Sequence, residues 1–224
     1  IAEAKQGLAT ANNERFLRLW HEVTQNLVDE KWFKYNKGGA FRKWYGNQTH
    51  YVNWQENGTE IKSFKDNKGK QLSVVRNPKY HFQESISWSD VTSSKNAFRY
   101  YEGGFINDAC AHSAFGESLR WKVCLMAFCN LKISTELSQL LNPTLHFHVG
   151  YFNKLPLLEQ FFNEEVYIIS TENIDISRKE WNSRENSWDF QKNELLTHKG
   201  SDVEESVETF IEYWKKKFFK NIRS

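Results

Sequence analysis

The sequence predicts an α+β protein. The expected architecture is a twisted, barrel-like and mostly antiparallel sheet with packed helices, followed by a helical C-terminal segment. Three observations carry this expectation. Short runs of alternating aromatic and polar residues recur between residues 31 and 106, as half-buried strands require. The pattern turns helical at residues 119–128 and 134–141. Beyond residue 170 the apolar residues repeat at helical spacing. The 224 residues are enough for one generous domain with a helical appendage, and the expected division is 1–170 and 171–224.

In order, residues 7–23 are ambiguous. Phe16, Leu19, Trp20 and Val23 fit a helical stripe, whereas Leu17, Leu19 and Val23 share one strand face. Gly38-Gly39 separates two aromatic runs, so residues 31–35 and 40–45 are expected to pair as a hairpin. Residues 51–54 read as a third strand, 55–71 as loop, and 72–75 as a strand broken by Asn77-Pro78. Residues 80–82, 86–88, 98–101 and 105–106 continue the sheet. Pro143 ends the second helix, and residues 146–149 read as a strand. Ser177 with Glu180 has capping-box spacing for a short helix over Trp181. Ser201 with Glu204 opens a long helix that aligns Val203, Val207, Phe210, Ile211, Trp214, Phe218 and Ile222. Its acids come early and its lysines late, which complements the helix dipole. The terminal basic run therefore reads as helix electrostatics and a packing face before it reads as a DNA contact.

Aromatic residues make up 16% of the chain and include nine tryptophans, which implies a core of large rings. Trp44 and Tyr45 belong to that core on this reading. No apolar run approaches the roughly eighteen residues of a membrane helix. Three cysteines without CxxC spacing argue against a disulfide framework or a zinc site and suit a reducing cytoplasm, with Cys110 as a small buried residue. The chain opens on Ile1 without a basic-then-apolar leader and so reads as an excised piece of something longer.

Net charge is only +2, but it is unevenly placed. Between residues 31 and 80 stand eleven Lys and Arg against Glu56, Glu60 and Asp66. Such a segment suits a polyanion on one face. It equally suits a solvated strand ribbon with lysines on its edge.

Catalytic signatures are absent. Pro78, Pro143 and Pro156 are isolated, so the Asn/Asp-Pro-Pro-aromatic loop that holds a flipped-out base cannot form. The glycines include no Gly-x-Gly, and no P-loop, HExxH or GxSxG occurs. His146 and His148 would share a strand face. With no acidic or cysteine ligand close in sequence, they read as ordinary strand residues and no metal is expected. Glu164-Glu165 and Glu204-Glu205 read as solvated helix surface. Neither a catalytic residue nor a small-molecule substrate is expected in this chain.

Several segments are together similar to a known family. GLATANNERFLRLWHEV is similar to the Gly-x-x-Thr-Gly-x-Asn-x-x-Phe segment that opens the specificity region of many adenine-specific DNA methyltransferases. KWFKYNKGGAFRKWYGN with YVNW, then ESISWSDVTSS, FRYYEGGFINDACAHSAFG and LLNPTLHFHVGYFNKLPL, resemble that region in order, and ISRKEWNSRENSWDF resembles the tail that follows it. The likeness is to BREX phage-defence methyltransferases of the PglX type, beside single-chain restriction–modification enzymes and TaqI-like specificity domains. Ala11 replaces the usual glycine after Thr10, and Cys129-Asn130-Leu131-Lys132 stands where Leu-Asn-Ser-Lys is usual.

The resemblance implies a C-terminal target-recognition region, with residues 1–170 reading DNA and 171–224 serving as a spacer or docking segment. A separate N-terminal methyltransferase domain of the same parent chain would bind S-adenosylmethionine and carry the Pro-Pro loop. This region itself would need no cofactor, and its partner would be double-stranded DNA. Lys31, Lys34, Lys37, Lys65, Lys68 and Lys79 are then expected at phosphates. Arg42, Lys43, Asn47, Arg76 and Arg99 are expected at base edges, and Ser89, Ser93 and Ser94 at smaller contacts. The rival expectations are a protein-interaction module docking on a methyltransferase body or defence partner, and a specificity domain of a restriction–modification enzyme.

Overall fold

The computed structural model describes residues 2–91 and 95–223, with side chains as far as residue 217. Four strands lie in the first 53 residues: β1 (Glu3–Lys5), β2 (Leu17–Leu19), β3 (Trp32–Asn36) and β4 (His50–Asn53). Four more follow: β5 (Ser85–Ser89), β6 (Phe98–Tyr101), β7 (Ile106–Asn107) and β8 (Ala111–Phe115). The helices are α1 (Asn13–Phe16), α2 (Gln55–Lys62), α3 (Leu119–Asn130) and α4 (Lys132–Leu141), then α5 (Val149–Phe152), α6 (Glu164–Asn182) and α7 (Val203–Arg223).

The α+β class holds, and the strands divide into two four-stranded sheets. One is antiparallel throughout, in the order β1-β8-β5-β6. The other runs β2-β4-β3-β7 and is antiparallel except for the β3–β7 pair. No closed barrel forms among the described residues. Each sheet has its own core. Ile86, Trp88 and Phe98 pack under Val123, Met126 and Phe128 of α3, with Ile174 and Trp181 of α6 closing the layer. Leu8, Phe16, Tyr35, Val52, Trp54 and Ile61 fill the second core. Buried polar side chains join the two. Asn36 donates from Nδ2 to Ser87 Oγ (2.7 Å), and Tyr35 donates to Asp108 Oδ2 (2.7 Å). Satisfied in this way, buried polar groups fix one register where an apolar contact would allow several.

Several elements differ from expectation. The predicted hairpin of residues 31–35 with 40–45 does not form, and β3 pairs with β4, Tyr35 facing His50. Gly38, Gly39, Trp44 and Asn47 all have positive φ, so the second aromatic run bends instead of extending. Trp44 instead bridges β6, donating to Phe98 O (2.9 Å) and accepting from Tyr100 N (2.8 Å), which buries Tyr45. Residues 55–71 are not all loop. α2 starts with Glu56, Asn57 and Gly58 left-handed, and at Gly58 a Cβ would come within 2.6 Å of the Trp54 ring.

Residues 72–75 make only an isolated bridge, Val74 with Ala9. Pro78–Tyr80 is a 3-10 turn entered by a left-handed Asn77. His146 makes one bridge to Val91, and the chain then enters α5. The Ser177–Glu180 pair lies inside α6, which Asn163 caps by accepting Val166 N (2.9 Å), so α6 runs through residue 170. Asp202 caps α7 by accepting Glu205 N (2.9 Å). Cys110 is exposed, and its N–H donates to Asp108 Oδ1 (2.6 Å).

Candidate nucleic-acid interface

The basic residues fall into two groups with different surroundings. The first lies on residues 64–80. There Asp66 builds a tight turn: its Oδ1 accepts Lys68 N (2.8 Å) and Lys70 N (2.9 Å), and Gly69 takes φ +79°. A bridge between Lys65 and Gln71 closes the turn. The only carboxylate of the turn is thus engaged by backbone N–H groups. Lys65, Lys68 and Lys70 stay exposed, and none forms an ion pair among the described residues. The turn is tied to the second core: Ser73 Oγ donates to Ile61 O, and Ala9 and Val74 exchange two backbone bonds of 2.9 Å. Lys79 is exposed with its Nζ 5.0 Å from the Tyr80 ring. Arg76 is half-buried and makes no side-chain hydrogen bond among the described residues.

The second group lies on residues 34–47 and is largely engaged within the fold. Lys37 pairs with Asp108 at 2.6 Å. Arg42 pairs with Glu180 of α6, its guanidinium 5.0 Å from the Trp181 ring. Lys43 donates to Asn130 O at the end of α3 (2.6 Å), and burial followed by the Lys95 charge lowers its pKa. Asn47 donates to Ala40 O (2.8 Å). Lys34 sits 4.9 Å from the Trp188 ring. Lys31 is half-buried, 5.8 Å from Trp32.

Arg99, expected at a base edge, is 1% exposed. It holds the loop from below, donating to Arg42 O (3.3 Å) and Ser89 Oγ (3.2 Å). Ser89 Oγ in turn donates to Gly39 O (2.9 Å) and accepts from Gly39 N (3.2 Å). In this conformation Arg42, Lys43, Asn47 and Arg99 shape the loop instead of reaching outward. Ser93 and Ser94 lie outside the described residues. The glycine pair bends a loop that Ser89 and Arg99 hold in place.

Two features escaped the sequence. Phe41 stands 53% exposed on this loop, beside the engaged Arg42. Its place next to Gly-Gly-Ala in the quoted motif was the available signal. The other is a cluster at the end of β5. Buried Asp90 is approached by His146 Nδ1 (3.1 Å), His148 Nδ1 (2.9 Å) and His112 Nε2 (3.2 Å). The acid that residues near His146 lack comes from 56 positions earlier.

Comparison with known proteins places this geometry in context. No family model matches the chain. Adenine-specific methyltransferase PglX of Lacticaseibacillus casei (strain Zhang) is 38% identical, over 96% of this chain and 19% of its own length. Adenine-specific methyltransferase BrxX of Escherichia coli O9:H4 (strain HS) is 33% identical, over 88% of this chain and 16% of its own. The solved structure of the Type IIL restriction–modification enzyme MmeI in complex with DNA has a similar fold, with a TM-score of 0.51 at 10% identity. That likeness covers 93% of this chain and 31% of MmeI. The chain therefore corresponds to one region, less than a fifth of the length, of adenine-specific methyltransferases of the PglX and BrxX type.

Proposed function

We propose that this chain is the DNA target-recognition region of a BREX-type N6-adenine methyltransferase acting in phage defence. On this reading the methyl transfer, with S-adenosylmethionine, takes place in a separate N-terminal domain of the parent. The observation that carries the reading is the match of 96% of the chain to only 19% of an adenine-specific methyltransferase, by a segment without a base-flipping Pro-Pro loop. The exposed ammonium groups at Lys65, Lys68 and Lys79 supply phosphate contacts that set register. Arg76 is the cation most able to reach a base edge. Phe41 is an apolar group of the kind that wedges at a base step. Residues 1–170 read DNA, and residues 171–224 dock on the parent.

The test has two arms. Fluorescence anisotropy with short duplex DNA, on this chain and on the full-length enzyme beside it, should show binding that weakens as salt rises. Exchanging this region between two PglX relatives and sequencing the methylome should move the methylated motif with the region. Salt-independent or absent binding by both proteins, or a motif that stays with the N-terminal part, would sink the proposal.

A second reading, a protein-interaction module, is favoured by α7. Val203, Val207 and Ile211 are exposed at 80%, 36% and 43%. Phe210, Ile211 and Trp214 line a groove against Glu180 and Arg184 of the preceding segment. Loss of methylation in the parent after I211D, with DNA affinity of this chain intact, would support that role.

A further inference from the structure

We infer that Asp90, His146 and His148 form a binding site for a divalent transition-metal ion of the zinc class. The three donor atoms lie within 4.8 Å of one another. His148 Nδ1 is 2.9 Å from Asp90 Oδ1, and His146 Nδ1 is 3.1 Å from Asp90 Oδ2. Zinc bonds of about 2.0–2.1 Å to nitrogen and oxygen imply tetrahedral ligand-to-ligand edges of about 3.3 Å. The two Asp–His edges stand near that spacing, one on each carboxylate oxygen, and the remaining edge, within 4.8 Å, would draw in on binding.

Hydrogen bonding accounts for one side of the arrangement, His146 Nδ1 pairing with Asp90 Oδ2 at 3.1 Å, and leaves the other side open. Asp90 is 7% exposed, and its Oδ1 has no hydrogen-bond partner even though two imidazole nitrogens approach within 3.2 Å. Two imidazoles and a carboxylate gathered this closely offer the donor types that a zinc-class ion takes once the ring nitrogens facing it are deprotonated. His112 is fully buried behind Asp90, its Nε2 3.2 Å from Oδ1, and limits the carboxylate's movement by packing against it.

The backbone holds the donors in place without the ion. Phe147 N donates to Asp90 O (2.8 Å), and Trp88 Nε1 donates to Phe147 O (2.7 Å). The ring planes of His146 and His148 stack at 5.2 Å. An ion here would staple the Asn-Pro-Thr segment, which no other part of the functional reading uses, to the end of β5. That junction adjoins Ser89, which carries the Gly39 loop, so the ion would also stiffen the loop's base. Three protein donors leave a fourth position for water, with the His146 and His148 side chains half exposed.

Tag-free protein, stripped with chelator, should be titrated with Zn²⁺ against a chromogenic chelator, and with Co²⁺ by visible absorption. The expected results are saturation near one ion per chain, the intense d–d bands of a four-coordinate Co²⁺ site, and a higher melting temperature with Zn²⁺. H146A and H148A, both at half-exposed positions, should keep the far-UV spectrum and weaken Zn²⁺ by roughly tenfold or more. C110S, which alters the nearby exposed thiol, should change nothing. Three results would overturn the assignment: no saturable binding, a loss below tenfold in both histidine variants, or a loss in C110S.

Discussion

Two basic stretches of similar composition meet opposite fates in this protein. In residues 34–47 the cations face partners that the fold supplies from elsewhere: Asp108 for Lys37, Glu180 for Arg42, Asn130 O for Lys43. In residues 65–79 the one nearby acid, Asp66, is turned onto its own backbone, and the lysines are left in solvent. The difference teaches that charge density alone does not mark a nucleic-acid face. On the proposed reading, what marks it is charge whose counter-charge the fold has engaged elsewhere.

The comparison can be broken most severely at Arg99. R99A should cost roughly 3 kcal/mol of stability, because it deletes a buried charged donor, leaves the Arg42 carbonyl without that donor and opens a cavity under the loop. Urea unfolding measures it, and a loss below about 1 kcal/mol would mean the guanidinium does not hold the loop. Acid should act about as strongly just beyond the other stretch, through His81. Burial, aided by the Lys62 charge, pushes its pKa down to about 4. The unfolded chain binds that proton near pH 6.5 and the folded one only near 4. Stability is therefore full above pH 6.5 and falls by up to roughly 3 kcal/mol as pH drops toward 4. H81Q should flatten that slope in thermal melts at stepped pH, and an unchanged slope would assign it to other groups.

Smaller effects sharpen the contrast. R42Q removes a partly buried pair and a ring contact, and should cost roughly 1 kcal/mol in chemical unfolding while leaving DNA affinity unchanged. K68Q should leave stability alone and lower the log–log salt slope of DNA binding by roughly 0.9. A K68Q protein with an unchanged slope would place Lys68 off the DNA.

Legibility in the sequence followed the range of the forces involved. β5, β6, α3 and α4 were readable from the spacing of their large side chains, although β6 is buried at every position and α4 buries Ser134, Thr135 and Ser138. β8 was not: Ala-His-Ser-Ala-Phe lacks alternation, and all five residues are buried, Ala114 in the first core and Ser113 against Asn107 of β7. The 31–45 hairpin failed on backbone conformation, since Trp44 and Asn47 sit in left-handed regions that residue type seldom announces. At the candidate site, the exposed lysines of residues 65–79 were legible as a charge excess. The engagement of Arg42, Lys43 and Arg99 was not, because their partners lie 138, 87 and 57 positions away. The carboxylate beside His146 and His148 was not legible for the same reason, being distant in sequence and adjacent in space.

The central claim is that the exposed cations of residues 65–79, and not the engaged cations of residues 34–47, meet the DNA backbone. Its most direct test is duplex affinity across a salt series for K65Q/K68Q/K79Q beside R42Q/K43M. The account predicts that the triple variant lowers the log–log slope by roughly 2.7 while the double variant keeps the parent slope. An unchanged slope in the triple variant, or a drop in the double variant alone, would contradict it.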